Sequence, residues 1–321
     1  MPKALNFIRL TCENYQTRVS KRGLAVVTPP DHHKVFLRRL TTCKTFTISD
    51  PTLSWIYNYG MNIIHSKDNT PIAYEISGSG PLLIIVTGAL NTHNFGVPSD
   101  LVPFLQKAFT VLTYDRRGRG QSGDTLPYSI EKEIQDLQTL IDHHGGKTFL
   151  YGHSAGAALA LFAAAESPEK VLKVAAYEPP LIGGWLEKTL TNFLIRQVSK
   201  QVAKGENLAV VKRFMRFVGM DAQLIKDTLA SEHGQTIIDM AGTIVYEAEI
   251  QKVSRSFLEE RAKNLPMPVL MLAGTKSFKT APAIMASFTQ AIPQAESRLL
   301  EGQTHSVEAT VLAPILESFF S

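Results

Sequence analysis

The chain contains little cysteine and no long apolar run. Its 321 residues include two cysteines, Cys12 and Cys43, which lack CxxC spacing, so neither a zinc module nor a disulfide framework is expected. Apolar runs such as Leu82–Val86 fall far short of the roughly 18–20 residues that a membrane-spanning helix needs. The sequence therefore predicts no membrane span.

No extreme of composition is present either. Apolar residues make up 44% of the chain, charged residues 19% and aromatic residues 8%, values close to those of soluble globular proteins. This balance excludes collagen-like and coiled-coil chains and leaves enough apolar material for a large buried core.

The net charge of +4 is concentrated at one end of the chain. Residues 1–60 carry nine basic and three acidic side chains, whereas residues 61–321 are slightly acidic. The basic segment lacks sustained periodicity and the apolar core of a secretory signal, which favours a poorly ordered N-terminal extension. Met61 is a candidate alternative start, because regular patterning begins just after it. Without an address signal, the cytoplasm is the default expectation.

From Met61 onward, strands alternate with helices of 10–15 residues. This alternation indicates right-handed βαβ units and an α/β fold with a mostly parallel sheet and helices on both faces. Residues 181–262 interrupt it with helical spacing alone and are predicted to form an inserted helical lid. The remaining domain, 61–321, is predicted to contain strands at 61–65, 70–76, 82–86, 110–114, 148–151, 171–177, 269–273 and 298–300, and helices at 100–108, 129–143, 155–166, 281–291 and 308–320.

A nucleophile motif lies at one strand-to-helix junction. Gly152-His-Ser-Ala-Gly156 fits G-x-S-x-G and follows strand 148–151 directly. A strand that turns abruptly into a helix strains its corner residue, and flanking glycines remove the Cβ atoms that would clash. Ser154 is therefore the predicted nucleophile. His153 is expected to be a turn or packing residue whose side chain points away from that of Ser154.

A serine nucleophile needs a base, and the base needs an orienting acid. His305 follows the last strand at the same sheet edge as Ser154, whereas His233 lies in the insertion and is expected to face solvent. The acid usually follows the next-to-last strand, but residues 273–295 contain no carboxylate. Glu178, at the end of strand 171–177, is the predicted acid. Asp115 is a weaker rival and is expected to pair with a neighbouring arginine.

Together these residues resemble the α/β-hydrolase superfamily, specifically its serine-nucleophile, lid-bearing members. The likeness spans about 61–321 and rests on the Gly152–Gly156 motif, the Tyr114-Asp-Arg-Arg-Gly-Arg-Gly-Gln-Ser122 loop, the Thr87-Gly88-Ala89 turn and Gly302-x-x-His305. It implies that the N–H groups of Ala89 and Ala155 form an oxyanion hole.

Two departures from the family pattern stand out. Thr87 occupies the place where the family often has histidine, which leaves the backbone donors of the hole intact. The acid position is similar to that of some haloalkane dehalogenases, but those enzymes use an aspartate nucleophile. Ser154 therefore argues against dehalogenation and epoxide opening.

The resemblance implies a serine hydrolase that cleaves carboxylic esters or related acyl compounds through an acyl-enzyme. This reaction needs no cofactor and no metal, and the apolar residues of the insertion predict a small or medium hydrophobic acyl substrate. No nucleic-acid partner is expected, because Arg116–Arg119 lacks interleaved aromatics. C–C bond hydrolysis, lactone opening and a slow or non-catalytic ligand receptor remain alternatives, and the leaving group and oligomeric state stay open.

Overall fold

Residues 1–59 and 60–321 form two separate units. A computed structural model describes residues 61–181 and 185–321 and, before them, five short strands between residues 8 and 48. In the first unit β1 pairs antiparallel with β5, and β2, β3 and β4 form a second antiparallel sheet. Their bounds are β1 (Ile8–Thr11), β2 (Gln16–Val19), β3 (Leu24–Thr28), β4 (Val35–Arg38) and β5 (Thr45–Ile48). The other residues of 1–60 lie outside the described part, so the poorly ordered extension stays a prediction.

An eight-stranded sheet forms the centre of the second unit. Its order is β13-β12-β11-β10-β8-β9-β7-β6. Among the described strands of this sheet, only the pairings of β7 with β6 and β9 are antiparallel, which confirms the predicted α/β fold with a mostly parallel sheet. The strands are β6 (Asn62–His65), β7 (Pro71–Gly78), β8 (Leu82–Val86), β9 (Thr110–Tyr114), β10 (Thr148–His153), β11 (Val171–Tyr177), β12 (Val269–Gly274) and β13 (Ala295–Leu300).

Helices cover both faces of this sheet. One apolar cluster joins α2, α3, α8 and α9 to the sheet, and a second joins α1 and α10 to its opposite face. The central strands β8, β10 and β12 are buried along their whole length, as expected of a sheet covered on both sides. The helices are α1 (Val97–Leu105), α2 (Ile130–His143), α3 (Ala155–Glu166), α4 (Trp185–Ala203), α5 (Asn207–Phe217), α6 (Ala222–Ala230), α7 (Gly234–Asp239), α8 (Ile244–Glu260), α9 (Ala281–Ala291) and α10 (Ala309–Phe320).

The segment between β11 and β12 is helical. Helices α4 to α8 and two 3₁₀ turns occupy it, and we call residues 185–264 the helical insertion. Its apolar cluster also includes Leu90, Ala89 and Phe95 from the loop after β8. The insertion therefore packs on the carboxyl edge of the sheet. Its action as a lid stays a prediction.

Several element boundaries differ from the sequence-based prediction, and two elements, α1 and β13, begin three residues earlier than predicted. Helix α1 begins at Val97 instead of 100, because Pro98 supplies a fixed φ at the first turn, where no amide hydrogen bond is needed. Strand β13 begins at Ala295 instead of 298. It lies at the edge of the sheet and exposes Glu296 and Arg298, so its sequence lacks the apolar pattern of a buried strand.

Candidate active site

Ser154 is located at the sharp turn between β10 and α3. Its backbone has φ 57° and ψ −127°, a strained conformation for a residue with a side chain. A Cβ at Gly152 would lie 2.5 Å from Ala157 Cα, and one at Gly156 would lie 2.1 Å from the Val86 carbonyl oxygen. Both glycines are therefore required for the turn, which presents Ser154 at the carboxyl edge of the sheet.

Glu178 and His305 meet beside this turn. His305 Nδ1 lies 2.6 Å from Glu178 Oε2 and can donate a hydrogen bond to it. Glu178 directly follows β11, the neighbour of β10, and its own backbone is strained at φ 47°. The structure thus brings together the predicted base and the predicted acid from the ends of different strands.

The loop after β12 lacks a carboxylate, and instead the last residue of β12 and this loop donate hydrogen bonds to Glu178. The Gly274 N–H donates to Oε1 at 2.9 Å, and the Ser277 hydroxyl donates to Oε2 at 2.7 Å. Burial would raise the pKa of Glu178, but the hydrogen bonds from His305, Ser277 and Gly274 outweigh it and hold this pKa below its usual value. Sequence reasoning missed both donors. One of them is a backbone amide, which leaves no signal in a sequence.

Two aromatic side chains hold the His305 loop in place. His153 Nε2 lies 2.8 Å from the His305 carbonyl oxygen, and the Tyr177 hydroxyl donates to the Thr304 carbonyl at 2.5 Å. The rings of His153 and Tyr177 stack, with centroids 5.5 Å apart. His153 thus contacts the His305 loop through a backbone carbonyl oxygen, which takes no part in proton transfer.

The surroundings of His153 keep its imidazole neutral, so we expect this residue to contribute to a loss of protein stability in acid. Burial and the nearby His305 lower the pKa of His153 to about 3. The unfolded chain takes up a proton at this position near pH 6.5, whereas the folded chain does not until about pH 3. The stability that this residue contributes is therefore fully present above about pH 6.5 and should be lost progressively as the pH falls from there toward about 3.

Urea unfolding at pH 6, 5 and 4 checks this, with His153→Gln as the comparison variant. Glutamine keeps a donor for the His305 carbonyl but has no titrating group, so the variant should lose stability less steeply on acidification. Parallel profiles of the two proteins would show that His153 does not set the acid sensitivity.

The Ser154 hydroxyl is partly exposed and forms no hydrogen bond with His305 or with any other residue in the described ranges. A loose contact between nucleophile and base is common without substrate, and it tightens when the substrate binds.

The Thr87–Ala89 turn packs directly against the nucleophile. A Cβ at Gly88 would lie 3.0 Å from Ser154 Cβ and 3.1 Å from the His153 carbonyl oxygen. Ala155, the other predicted donor residue, is the first residue of α3, where backbone N–H groups have no intrahelical partner. The described geometry thus packs Gly88, the residue before Ala89, against Ser154, and it places Ala155 at the helix start that follows Ser154.

Comparison with known proteins gives the family. Residues 81–307 match the alpha/beta hydrolase fold family, which is more than half of the chain. The chain belongs to the alpha/beta hydrolase fold family. A solved alpha/beta hydrolase from Sphaerobacter thermophilus is 32% identical, with a TM-score of 0.71, and the match covers 81% of this chain and 100% of that one.

One curated relative and the fold of one more solved structure agree with this assignment. A 2-(acetamidomethylene)succinate hydrolase from Mesorhizobium japonicum is 26% identical over 72% of this chain and 83% of its own length. An esterase from Thermogutta terrifontis shares the fold at 18% identity and a TM-score of 0.66, covering 81% of this chain and 97% of that one. Family and relatives place the chain among the hydrolases.

The described residues contain neither a membrane-spanning helix nor a cluster of metal-ligand side chains. No helix among them is long and apolar enough to cross a membrane. Within the same ranges, no group of three or more His, Cys, Asp or Glu side chains could hold a metal ion.

In this hydrolase, the loop after β9 carries three fully buried arginines. Arg116 forms a bidentate ion pair with Glu133, in which Nε and Nη2 donate to the carboxylate oxygens at 2.7 and 2.6 Å. Its Nη1 donates to Glu247 of the insertion at 3.2 Å. Arg119 also bonds Glu247. Burial would lower the pKa of Arg116, but Glu133 and Glu247 outweigh it and raise this pKa further above its usual value. The loop and the insertion are therefore joined by a paired and buried charge network.

The third arginine has its own partners. Arg117 contacts Asp136 at 2.8 and 2.7 Å and Asp68 at 3.0 Å. Sequence reasoning treated these arginines only as a family loop and missed all their acidic partners.

The prediction that Asp115 pairs with an arginine is wrong. Its Oδ1 accepts from the His93 backbone N–H at 2.7 Å and contacts the His93 ring at 3.0 Å, and its Oδ2 accepts from the Gln121 N–H at 2.7 Å. The arginines turn instead toward glutamates and aspartates on α2, α8 and the β6–β7 turn. Asp115 is fully buried and ties two loops together.

Replacing Asp115 with asparagine should mainly reduce stability. Asparagine has one carbonyl oxygen, so its NH₂ group would face one of the two backbone N–H donors and leave it unsatisfied. We expect a loss of about 1–3 kcal/mol in the free energy of unfolding, measured by urea denaturation. Asp142→Asn is the matched control, because Asp142 pairs with Lys170 at an exposed site and should change stability by less than about 1 kcal/mol. An equal loss in both variants would contradict the role given to Asp115.

Proposed function

We propose that this protein is a serine hydrolase that cleaves carboxylic esters or related acyl compounds through an acyl-enzyme intermediate. Ser154 is the nucleophile, His305 the general base, Glu178 the orienting acid, and the N–H groups of Ala89 and Ala155 the oxyanion hole. The observation that carries the proposal is the 2.6 Å contact between His305 and Glu178 at the same sheet edge as the strained Ser154.

Acylation would use each group in turn. As Ser154 Oγ attacks the acyl carbon, His305 Nε2 takes the hydroxyl proton, and Glu178 stabilises the resulting imidazolium through Nδ1. The negative charge on the former carbonyl oxygen is held by the two N–H groups. The tetrahedral intermediate then collapses, the bond to the leaving group breaks, and His305 returns its proton to that group.

Deacylation repeats these steps with water. His305 removes a proton from the water, the new oxygen–carbon bond forms, and Ser154 leaves with the proton from His305 as the acid product departs. Protein side chains and backbone amides supply every proton transfer and charge in this scheme, so the proposal includes no cofactor.

A hydrophobic acyl group is the proposed substrate class. The apolar cluster of the helical insertion extends to Ala89 and Leu90, directly beside the proposed oxyanion hole. An acyl chain bound to Ser154 would meet this apolar surface. One relative is named for a substrate with an acetamido group, so an amide belongs in the test panel beside esters and a lactone.

Partitioning of a shared acyl-enzyme tests the proposal. p-Nitrophenyl butyrate and phenyl butyrate should be hydrolysed with multiple turnovers, and added methanol should give the same ratio of methyl butyrate to butyrate from both esters. A common ratio requires a common intermediate. Different ratios would contradict the acyl-enzyme.

Other outcomes favour the alternatives. Turnover of a lactone or a β-diketone without ester turnover would favour lactone opening or C–C bond hydrolysis over ester hydrolysis. A ligand-induced melting shift without turnover of any panel compound would favour a receptor and overturn the hydrolytic proposal.

A further inference from the structure

Arg119 contacts both the helical insertion and the turn proposed to form the oxyanion hole. Its Nε donates to Thr243 Oγ1 at 3.4 Å, and its Nη2 donates to Glu247. The third guanidinium nitrogen, Nη1, donates to the Gly88 carbonyl oxygen at 3.3 Å. The Arg119 side chain is fully buried, so its three contacts are shielded from water.

The Gly88 carbonyl and the Ala89 N–H belong to the same peptide unit. In a trans peptide these two groups point in opposite directions in one plane. A donor that holds the Gly88 oxygen on one side therefore fixes the direction of the Ala89 N–H on the other. Arg116 acts on the preceding unit in the same way, because its Nη1 donates to the Thr87 carbonyl at 3.1 Å.

Other contacts of the turn are consistent with a fixed peptide plane. Gly88 lies against Ser154, as the 3.0 Å approach of a hypothetical Cβ shows. Asn91 Nδ2 donates to the Ala89 carbonyl at 2.7 Å, which holds the next unit. Leu90 has φ 56°, so the chain after Ala89 is strained and needs such support.

We infer that Arg119 is a positioning residue that aims the Ala89 N–H at the oxyanion, and that Glu247 of the helical insertion locks Arg119 in place. This inference rests on the proposed function. It makes the insertion part of the catalytic apparatus: the same carboxylate that anchors α8 to the loop after β9 also sets the direction of one oxyanion donor.

A double variant, Arg119→Met with Glu247→Met, tests this inference. It removes both charges together and keeps apolar volume, so it avoids an unpaired buried charge. Arg116 retains Glu133 as its partner. We expect kcat for p-nitrophenyl butyrate to fall by roughly 10–100-fold with KM within about twofold, because removal of an oxyanion donor costs roughly 100–1000-fold and a misdirected donor costs less.

The inhibition constant of a boronic acid is the second measurement. A purely structural role of Arg119 would leave this constant unchanged. The boronic acid forms a tetrahedral adduct with the nucleophile whose anionic oxygen occupies the oxyanion hole. Its inhibition constant should rise in proportion to the fall in kcat/KM. An unchanged inhibition constant, or a kcat within twofold of the wild type, would overturn the inference.

The matched control is Arg117→Met with Asp136→Leu. It removes a buried ion pair from the same loop, but Arg117 donates to Asp136, Asp68 and the Lys132 carbonyl and makes no hydrogen bond to residues 87–89. This variant should keep kcat and the boronic acid constant within twofold. An equal loss in the control would also overturn the inference, because any damage to the loop would then have the same effect.

If the double variant fails to fold, the single variant Arg119→Lys tests the inference. Lysine keeps the charge beside Glu247 but lacks the planar fork that spans Glu247 and Gly88. A lowered kcat with weaker boronic acid binding would support the inference, and wild-type values would overturn it. Failure of the proposed function is distinguishable, because in that case the wild type itself would not turn over the ester.

Discussion

Replacing Glu178 with glutamine should lower kcat by about 10⁴-fold while leaving the fold intact. Glutamine has nearly the same shape, but it is neutral and cannot stabilise the imidazolium that forms when His305 accepts the Ser154 proton. It also presents an NH₂ group, which would face either His305 Nδ1 or the donors Gly274 N–H and Ser277. Loss of a triad acid in a serine protease has an effect of this size.

Steady-state kinetics and thermal unfolding of the same samples check this prediction. Asp115→Asn is the control for activity, because Asp115 contacts His93 and Gln121 and not His305. It should retain kcat within a few-fold while losing stability. Exchanged phenotypes, with activity lost in Asp115→Asn and retained in Glu178→Gln, would show that the assigned acid is wrong.

Replacing Glu247 with alanine should destabilise the protein by about 3–5 kcal/mol, the range found when one partner of a buried ion pair is removed. The Glu247 side chain is 9% exposed, and its carboxylate contacts two guanidinium groups. Arg116 would keep Glu133, but Arg119 has no second carboxylate within hydrogen-bonding distance among the described residues and would remain buried with an uncompensated charge. Urea denaturation monitored by tryptophan fluorescence and by circular dichroism measures the loss.

Glu249→Ala is the matched control on the same helix. Glu249 is partly exposed and pairs with Lys252 at 2.6 Å, an i,i+3 contact near the surface that contributes at most about 1 kcal/mol. The Met/Met double variant should recover most of the stability lost in Glu247→Ala, since it removes the buried charge together with its partner. A loss in Glu247→Ala no larger than that in Glu249→Ala would contradict the buried network.

Most of the fold was predictable because its elements have strong local patterns. Strand β8 and the small-residue helix α3 read as buried elements, and the glycines of the elbow marked the junction between strand and helix. The errors fell where tertiary position overrides local pattern. The edge strand β13 is largely polar, and α1 begins at a proline-containing turn.

The candidate site was predictable only where a single residue carries the signal. Ser154 lies in a motif, and His305 and Glu178 follow strands whose ends must share one edge of a parallel sheet. The partners of these residues were not predictable, because Gly274 contributes a backbone amide and Glu247 is 131 residues from Arg116 in sequence. Asp115 was assigned to an arginine because the arginines are its sequence neighbours, but their acidic partners lie on other elements.

An activated Ser154 is the central claim, and labelling with a fluorophosphonate tests it most directly. The serine oxygen would form a bond to phosphorus and fluoride would leave, which adds one phosphonyl group to the intact mass. The account predicts one adduct per chain on the wild type, rapid at neutral pH, and none on Ser154→Ala, with the modified peptide containing residues 152–156. Equal labelling of the two proteins, or no labelling of the wild type, would contradict it.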